Sequence, residues 1–160
     1  MRAKRSAEAQ SEDWTVARVE AAAVRLLARR EHSRAELERK LKTRGAPPEL
    51  VAEALAGLAG RKLQSDDRYA ESLVTSRIGR GQGPVRIRRE LSEQGIDAAG
   101  IEAALAASDP DWFALARETR RRRFGAEAPA EWKERARQAR FLEYRGFSGE
   151  QIRHALGGDD

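Results

Sequence analysis

Arginine is the residue of this chain whose type and spacing best fit a chemical task, the binding of anions. Its planar guanidinium can form two parallel hydrogen bonds with a carboxylate or a phosphate. A first cluster flanks a glycine-rich segment and consists of Arg77, Arg80, Arg86, Arg88 and Arg89. The stretch that holds it, residues 77–90, has only one acidic residue, Glu90. Acids and bases alternate elsewhere, as in the run RAELERK. The cluster therefore indicates a binding surface more than a solvated helix face.

A second cluster is denser and consists of Arg117, Arg120, Arg121, Arg122 and Arg123. It ends a predicted helix, where the helix dipole by itself favours cations. A binding surface and simple dipole pairing are equally good interpretations here. The predicted binding surface consists of the first cluster and three members of the second, Arg117, Arg120 and Arg121.

Other kinds of chemistry lack the residues that they need. No nucleophile with a base, no metal cluster and no phosphate loop can be found. His32 and His154 have no second ligand at helical spacing, so structural or surface roles are expected. The glycine run at 79–83 follows a helix and lacks the GK[ST] ending, which favours a hinge or tight joint. Asp66 and Asp67 begin a helix, so capping explains them better than magnesium. We expect no enzyme activity, metal or cofactor.

Apolar spacing predicts helices along most of the chain. One stripe follows Asp66 and consists of Tyr69, Ala70, Leu73, Val74 and Ile78. Ser33 and Glu36 have the spacing of a capping box. The first helix, from Trp14, is predicted to place on one face Ala17, Ala21, Val24 and Leu27.

The pattern repeats about every 50 residues. A shift of 50 carries Leu37, Leu41, Gly45, Val51 and Leu55 onto Ile87, Leu91, Gly95, Ile101 and Leu105. A shift of 51 carries the last four of these onto Leu142, Gly146, Ile152 and Leu156. The third copy departs at Gln138, where an isoleucine is expected. We therefore predict an all-α, elongated tandem array of three three-helix, helix-turn-helix-like repeats at 14–63, 64–108 and 109–158, after a disordered tail at 1–13.

Composition limits the kind of protein and partner. A net charge of +5 and a pI of about 10.1 favour a polyanion or an acidic protein face. There is no cysteine, no apolar run of membrane-spanning length and no signal-peptide block at the N-terminus. These features predict a soluble, cytoplasmic protein without a membrane partner, and we expect a monomer.

Three motifs follow one another between residues 66 and 96: DDRYAES, SRIGRGQGP and IRRELSEQGI. Their order resembles the central signature of the RecX family, bacterial regulators of the RecA recombinase. The run LLARREHSRAELERKLKTRG at 26–45 resembles that family's opening segment. The likeness implies a modular helical protein that binds the RecA filament and inhibits its growth, ATPase, strand exchange and co-protease activities. It thereby implies a role in DNA repair and the SOS response.

DNA binding independent of RecA is the alternative. The third helices of the first two repeats, PPELVAEALAGL and DAAGIEAALAAS, are alanine-rich and acidic. Such helices are poorly suited to approach phosphates, so sequence-specific reading of DNA is not expected. Non-specific contacts of the arginines with the DNA backbone remain compatible with the sequence. A scaffold for a different acidic protein is a further possibility.

Overall fold

The structure is a computed structural model that describes residues 13–157. Within this range the chain forms nine helices and no strand, which confirms the predicted all-α class. The helices are α1 (Val16–Leu27), α2 (Arg34–Thr43), α3 (Pro48–Gly60), α4 (Asp66–Gly79), α5 (Pro84–Glu93), α6 (Ala98–Ser108), α7 (Trp112–Phe124), α8 (Trp132–Tyr144) and α9 (Gly149–Ala155). Except for Asp13, the predicted N-terminal tail lies outside the described residues.

The nine helices form three consecutive sets, α1–α3, α4–α6 and α7–α9, called here the first, second and third triplets. In each triplet a glycine with positive φ separates the second helix from the third: Gly45 at +96°, Gly95 at +82° and Gly146 at +94°. Glycine adopts this left-handed conformation without a steric penalty. The repeat seen in the sequence is therefore a repeat of backbone geometry.

Contacts divide the chain into two compact units. The first contains the residues up to 69 together with 94–96, and the second contains 70–93 and the residues from 97 onward. No helix among residues 13–157 has both the length and the apolar character needed to cross a membrane.

The core of the first unit contains Leu37 and Leu41 from α2 and, from α3, Val51, Leu55 and Leu58. From α1 it contains Val19, Ala22 and Ala23. The predicted inner face of α1 is thus wrong: Ala17 and Ala21 are exposed, and Val24 is 44% exposed. Leu27 alone of the predicted set packs against the core. Because alanines and valines surround this helix, their spacing fits two faces equally well, and packing selects one.

In the second unit, Ile87 and Leu91 of α5 are fully buried, as is Leu142 of α8. The stripe predicted for α4 is confirmed where it belongs to this unit, since Ala70, Leu73 and Val74 are buried and Ile78 is half-buried. Tyr69, in the first unit, is buried as well. The core therefore leaves the polar faces of α4, α5 and α7 available for a site.

Candidate interaction surface

Two of the first-cluster arginines are neutralised by glutamates. Arg77 forms a two-point pair with Glu90, with Nε to Oε2 at 2.9 Å and Nη2 to Oε1 at 2.5 Å. Arg88 donates from Nε to Glu102 of α6 at 2.8 Å, and this hydrogen bond lowers the pKa of the Glu102 carboxyl. Glu102 lies outside the stretch whose acids were compared in the sequence. These charges are already matched within the protein.

The other three arginines of this cluster differ in their availability. Arg86 lies over the Tyr144 ring, 5.3 Å from its centroid, and donates to the Tyr144 carbonyl at 3.3 Å. Arg80 and Arg89 are exposed and have no carboxylate partner among residues 13–157. The first cluster thus presents two exposed guanidinium groups that have neither a carboxylate nor a ring partner, Arg80 and Arg89, and not five.

The glycine-rich segment is a tight joint. The N–H of Gly83 donates to the Arg145 carbonyl at 2.8 Å, and that of Val85 donates to the Gly146 carbonyl at 2.9 Å. A Cβ on Gly83 would lie 2.6 Å from the backbone nitrogen of Phe147, closer than real contacts allow. Glycine is therefore required because the α4–α5 and α8–α9 joints meet backbone to backbone.

The second cluster also divides into different roles. Arg117 Nη1 lies 2.6 Å from His154 Nε2, and Phe113 packs edge-on against this imidazole. Because a guanidinium can only donate, that ring nitrogen of His154 accepts. Arg122 pairs with Glu118 at 2.8 Å. Arg121 is exposed and, within residues 13–157, has no carboxylate partner.

Arg120 is buried, which corrects its inclusion in an exposed surface. Its side chain donates to the carbonyls of Glu127 at 3.0 Å and Ala126 at 3.3 Å, and to Gln138 Oε1 at 3.2 Å. The residue is 4% exposed, and burial, followed by the charge of Arg121, lowers the pKa of Arg120. Consecutive arginines on a helix point in successive directions, so part of such a run must face inward. The arginine that faces inward, Arg120, is hydrogen-bonded to Gln138, the residue at which the third copy departs from the repeat.

A cleft of about 420 Å³ joins the two arginine clusters. Its apolar lining comes from Ile78 at the end of α4, Leu115 of α7 and Phe141 of α8. Its basic lining consists of Arg80, Arg122, Arg123 and Arg145. The sequence interpretation missed Arg145 and the apolar floor. Arg145 directly precedes the repeated glycine Gly146, which was the available signal that it lies at a joint.

Asp66 acts in capping, together with its neighbour Ser65. Ser65 Oγ accepts the N–H of Arg68 at 3.2 Å and so caps α4. Asp66 Oδ1 accepts from Gln64 Nε2 at 2.9 Å and from the N–H of Arg34 at 2.8 Å, at the start of α2. Among residues 13–157, no group of three or more histidine, aspartate and glutamate side chains is arranged to hold a metal ion.

His32 belongs to a buried polar cluster of the first unit. Its Nδ1 lies 3.0 Å from the Arg30 carbonyl, and its Nε2 lies 3.1 Å from Lys40 Nζ. Since the carbonyl only accepts and the ammonium only donates, the ring is neutral with its proton on Nδ1. Burial and the charges of Arg30 and Lys40 lower the pKa of His32, outweighing the hydrogen bond to Arg30.

Ser33 and Glu36 form only the serine half of the predicted capping box. Ser33 Oγ accepts the N–H of Glu36 at 3.1 Å, while the Glu36 carboxylate takes hydrogen bonds from Arg30. Burial raises the pKa of Glu36, but the hydrogen bond and charge of Arg30 outweigh it, so the pKa lies below its usual value.

Comparison with known proteins identifies the family. Three family models match in order: the first three-helix domain of RecX at residues 21–58, the second at 65–105 and the third at 109–156. The regulatory protein RecX of Pseudomonas fluorescens strain SBW25 is 48% identical over 146 residues, which cover 91% of this chain and 94% of that protein. The chain belongs to the RecX family. The regulatory protein RecX of Halorhodospira halophila is 49% identical, over 87% of this chain and 86% of its own.

Solved RecX structures have the same fold. The crystal structure of RecX from Lactobacillus salivarius matches with a TM-score of 0.72 and 24% identity, over 89% of this chain and 94% of that one. A second crystal structure, of a regulatory protein RecX, matches with a TM-score of 0.74 and 25% identity, over 90% of this chain and 73% of that one. The three-helix repeats predicted from the sequence are therefore those of RecX, and the relatives named above are regulatory proteins.

Proposed function

We propose that this RecX protein binds the RecA filament assembled on DNA and inhibits its growth, and with it RecA's ATPase, strand-exchange and co-protease activities. It would act in the cytoplasm as a monomer without enzymatic activity, in DNA repair and the SOS response. The observation that carries the proposal is 48% identity to a curated RecX regulatory protein over 91% of the chain. RecA is the partner that the sequence motifs imply.

The arginines with unmatched charge are the proposed contacts with acidic side chains of RecA. Arg80, Arg89 and Arg121 are exposed and, in residues 13–157, lack a carboxylate partner. An unmatched guanidinium has all its donors available for a carboxylate of the partner. Arg77 and Arg88 already hold glutamates, so a partner acid would have to displace these. We therefore assign the larger part of the binding energy for RecA to Arg80, Arg89 and Arg121.

RecA's DNA-dependent ATP hydrolysis tests the proposed function. The protein is added in increasing amounts to RecA on single-stranded DNA, and its binding to the same DNA without RecA is measured in parallel. Inhibition at amounts far below those that coat the DNA is expected. Inhibition only at DNA saturation would replace the proposal with competition for DNA, an alternative with which the net charge of +5 agrees equally well.

Charge reversal tests the assigned arginines. The triple variant Arg80→Glu, Arg89→Glu, Arg121→Glu is expected to inhibit RecA at least about tenfold less well, because each lost charge-assisted hydrogen bond weakens binding. The matched control reverses three exposed arginines of the first triplet, Arg25→Glu, Arg29→Glu and Arg44→Glu. Equal loss in both variants would show that net charge, and not this surface, determines binding.

A further inference from the structure

The geometry of the cleft between the end of α4, α7 and α8 points to a docking site for an acidic protein segment that inserts one large apolar side chain. We propose this as the way in which a partner protein engages the third triplet. The inference rests on the proposed function for the identity of the partner, RecA. It adds the chemistry of the segment that the partner must present.

The floor of the cleft is apolar and accessible. Ile78 and Leu115 are half-buried and line the cleft, together with Phe141, whose ring lies under the Arg145 guanidinium. A volume of about 420 Å³ falls in the range of about 300–1,000 Å³ typical of ligand clefts. Covering such a floor with an aliphatic or aromatic side chain removes apolar surface from water, which stabilises the complex.

The rim of the cleft is cationic. Four arginines and one acid, Glu118, line the cleft, a net charge of +3. Glu118 is held by Arg122 at 2.8 Å, which leaves Arg80, Arg123 and Arg145 to meet carboxylates. Arg145 already donates from Nη1 to the Arg80 carbonyl at 3.0 Å, so the carbonyl that would repel an anion is occupied and the guanidinium is fixed in place. Carboxylates on either side of an apolar anchor match this arrangement.

Nucleic acid fits the cleft less well than a peptide does. Single strands bind by stacking bases on exposed aromatic faces. The Arg145 guanidinium lies over the Phe141 ring at 5.2 Å, and Phe124 packs perpendicular to Phe141 with centroids 5.2 Å apart. The aromatic surface is therefore already engaged, whereas the aliphatic floor of Ile78 and Leu115 has no use in binding phosphates.

A pair of short, fluorescein-labelled peptides tests the inference on the full-length protein. In one, glutamates flank a single central leucine, and in the other a glycine replaces that leucine. Fluorescence anisotropy should show the leucine peptide binding about tenfold tighter, because one buried leucine is worth that much affinity. Equal binding of the two peptides would overturn the proposal.

Variants locate the binding. Arg123→Glu at the rim should weaken the leucine peptide about tenfold, while Arg140→Glu, an exposed α8 arginine that does not line the cleft, makes the same charge change and should leave binding within about twofold. Leu115→Gln should remove the preference for leucine. Thermal unfolding checks that each variant folds; should Leu115→Gln fail this check, the exposed Arg123 still decides. Equal losses for Arg123→Glu and Arg140→Glu would overturn the site.

Three further outcomes show what the cleft binds and separate this inference from the proposed function. Displacement of the leucine peptide by oligothymidylate of equal charge, as efficiently as by unlabelled peptide, would assign the cleft to nucleic acid and overturn the inference. Leucine-dependent binding without inhibition of RecA would support the docking site and remove RecA as its partner. Inhibition of RecA that is unchanged in Arg123→Glu would remove the site and leave the proposed function.

Discussion

Gly45 of the first triplet and Gly146 of the third occupy the same place in the repeat and nearly the same backbone conformation, with φ of +96° and +94°. Their surroundings differ. A Cβ at Gly45 would lie 3.9 Å from Trp14 Nε1, an ordinary contact, whereas one at Gly146 would lie 2.7 Å from the backbone nitrogen of Arg86. The same sequence signal thus serves one purpose in the first triplet and two in the third: a left-handed turn, and room for the neighbouring helix.

The core position that the repeat places on the second helix shows a similar contrast. Leu37 in the first triplet is fully buried among apolar side chains. Its counterpart in the third, Gln138, is also buried, but it accepts a hydrogen bond from Arg120 and donates one to Glu134 at 3.1 Å. The third triplet therefore maintains a buried polar contact where the first has only packing, and such a contact is stabilising only while both partners are present.

The largest effect is expected from alanine at the two glycines. Gly45→Ala should cost about 1–2 kcal/mol, the penalty of a left-handed conformation. Gly146→Ala should cost roughly 3 kcal/mol or more, because overpacking against Arg86 adds to that penalty. Urea denaturation measures both. As a control, Gly149→Ala meets nothing within 4 Å and should be close to neutral. Equal losses at Gly45 and Gly146 would contradict the contrast.

A smaller effect is expected at the buried polar contact. Gln138→Ile restores the residue type of the repeat but removes an acceptor from Arg120, so a loss of about 1–3 kcal/mol is expected. The double variant Arg120→Leu, Gln138→Ile should recover most of this loss, because the buried cation that lost one of its acceptors is then absent. A double variant as unstable as the single one, in the same urea denaturation, would show that Arg120 is not the cause.

The first unit is expected to lose stability in mild acid because of His32. The pKa of His32 is lowered in the folded state. When the pH falls below the usual pKa of 6.5, His32 is therefore protonated in the unfolded chain but stays neutral in the folded protein. Stability from this group is thus complete above that pH and falls as the pH decreases towards the folded pKa. The melting temperature should decline between pH 7 and 5 in the wild type.

His32→Gln, which is neutral throughout, is the comparison for this prediction. Its melting temperature should decline less over the same range, and an identical slope would assign the pH dependence to other groups. Glu36 acts at lower pH: its pKa is lowered, so its contribution is complete above the usual value of 4.5 and is lost as the pH falls further. A second decline below that pH is expected in both proteins.

The smallest effect is expected at Gly60, the last residue of α3. It lacks a positive φ and a Cβ there would meet nothing within 4 Å, unlike at Gly146. Gly60→Ala should therefore stabilise the protein by up to about 1 kcal/mol, by reducing the entropy of the unfolded chain and favouring the helix. A measurable loss of stability would show that the structure requires glycine at position 60 even without a positive φ or a close neighbour.

The sequence was sufficient for those features that depend on neighbours within a few residues. Helix positions follow from apolar spacing, and Ser33, Ser65 and Ser148 cap their helices through hydrogen bonds to residues three positions ahead. The repeat likewise aligned the three glycines, Gly45, Gly95 and Gly146, which have positive φ in the structure. The arginine clusters were predicted from the number of acidic residues near them in the sequence. That number does not include acidic residues that folding brings close from elsewhere in the chain.

The sequence by itself determined that this protein is an all-α array of three repeated RecX-type modules rich in arginine, because caps, periodicity and turn glycines are local properties. Only the tertiary structure decided which charges are matched and which remain available. Arg88 finds Glu102 on the next helix, and Arg120 turns inward to Gln138. The cleft likewise exists only where α4, α7 and α8 come together. Ion pairing and burial depend on distance in space, and positions along the chain do not specify that distance.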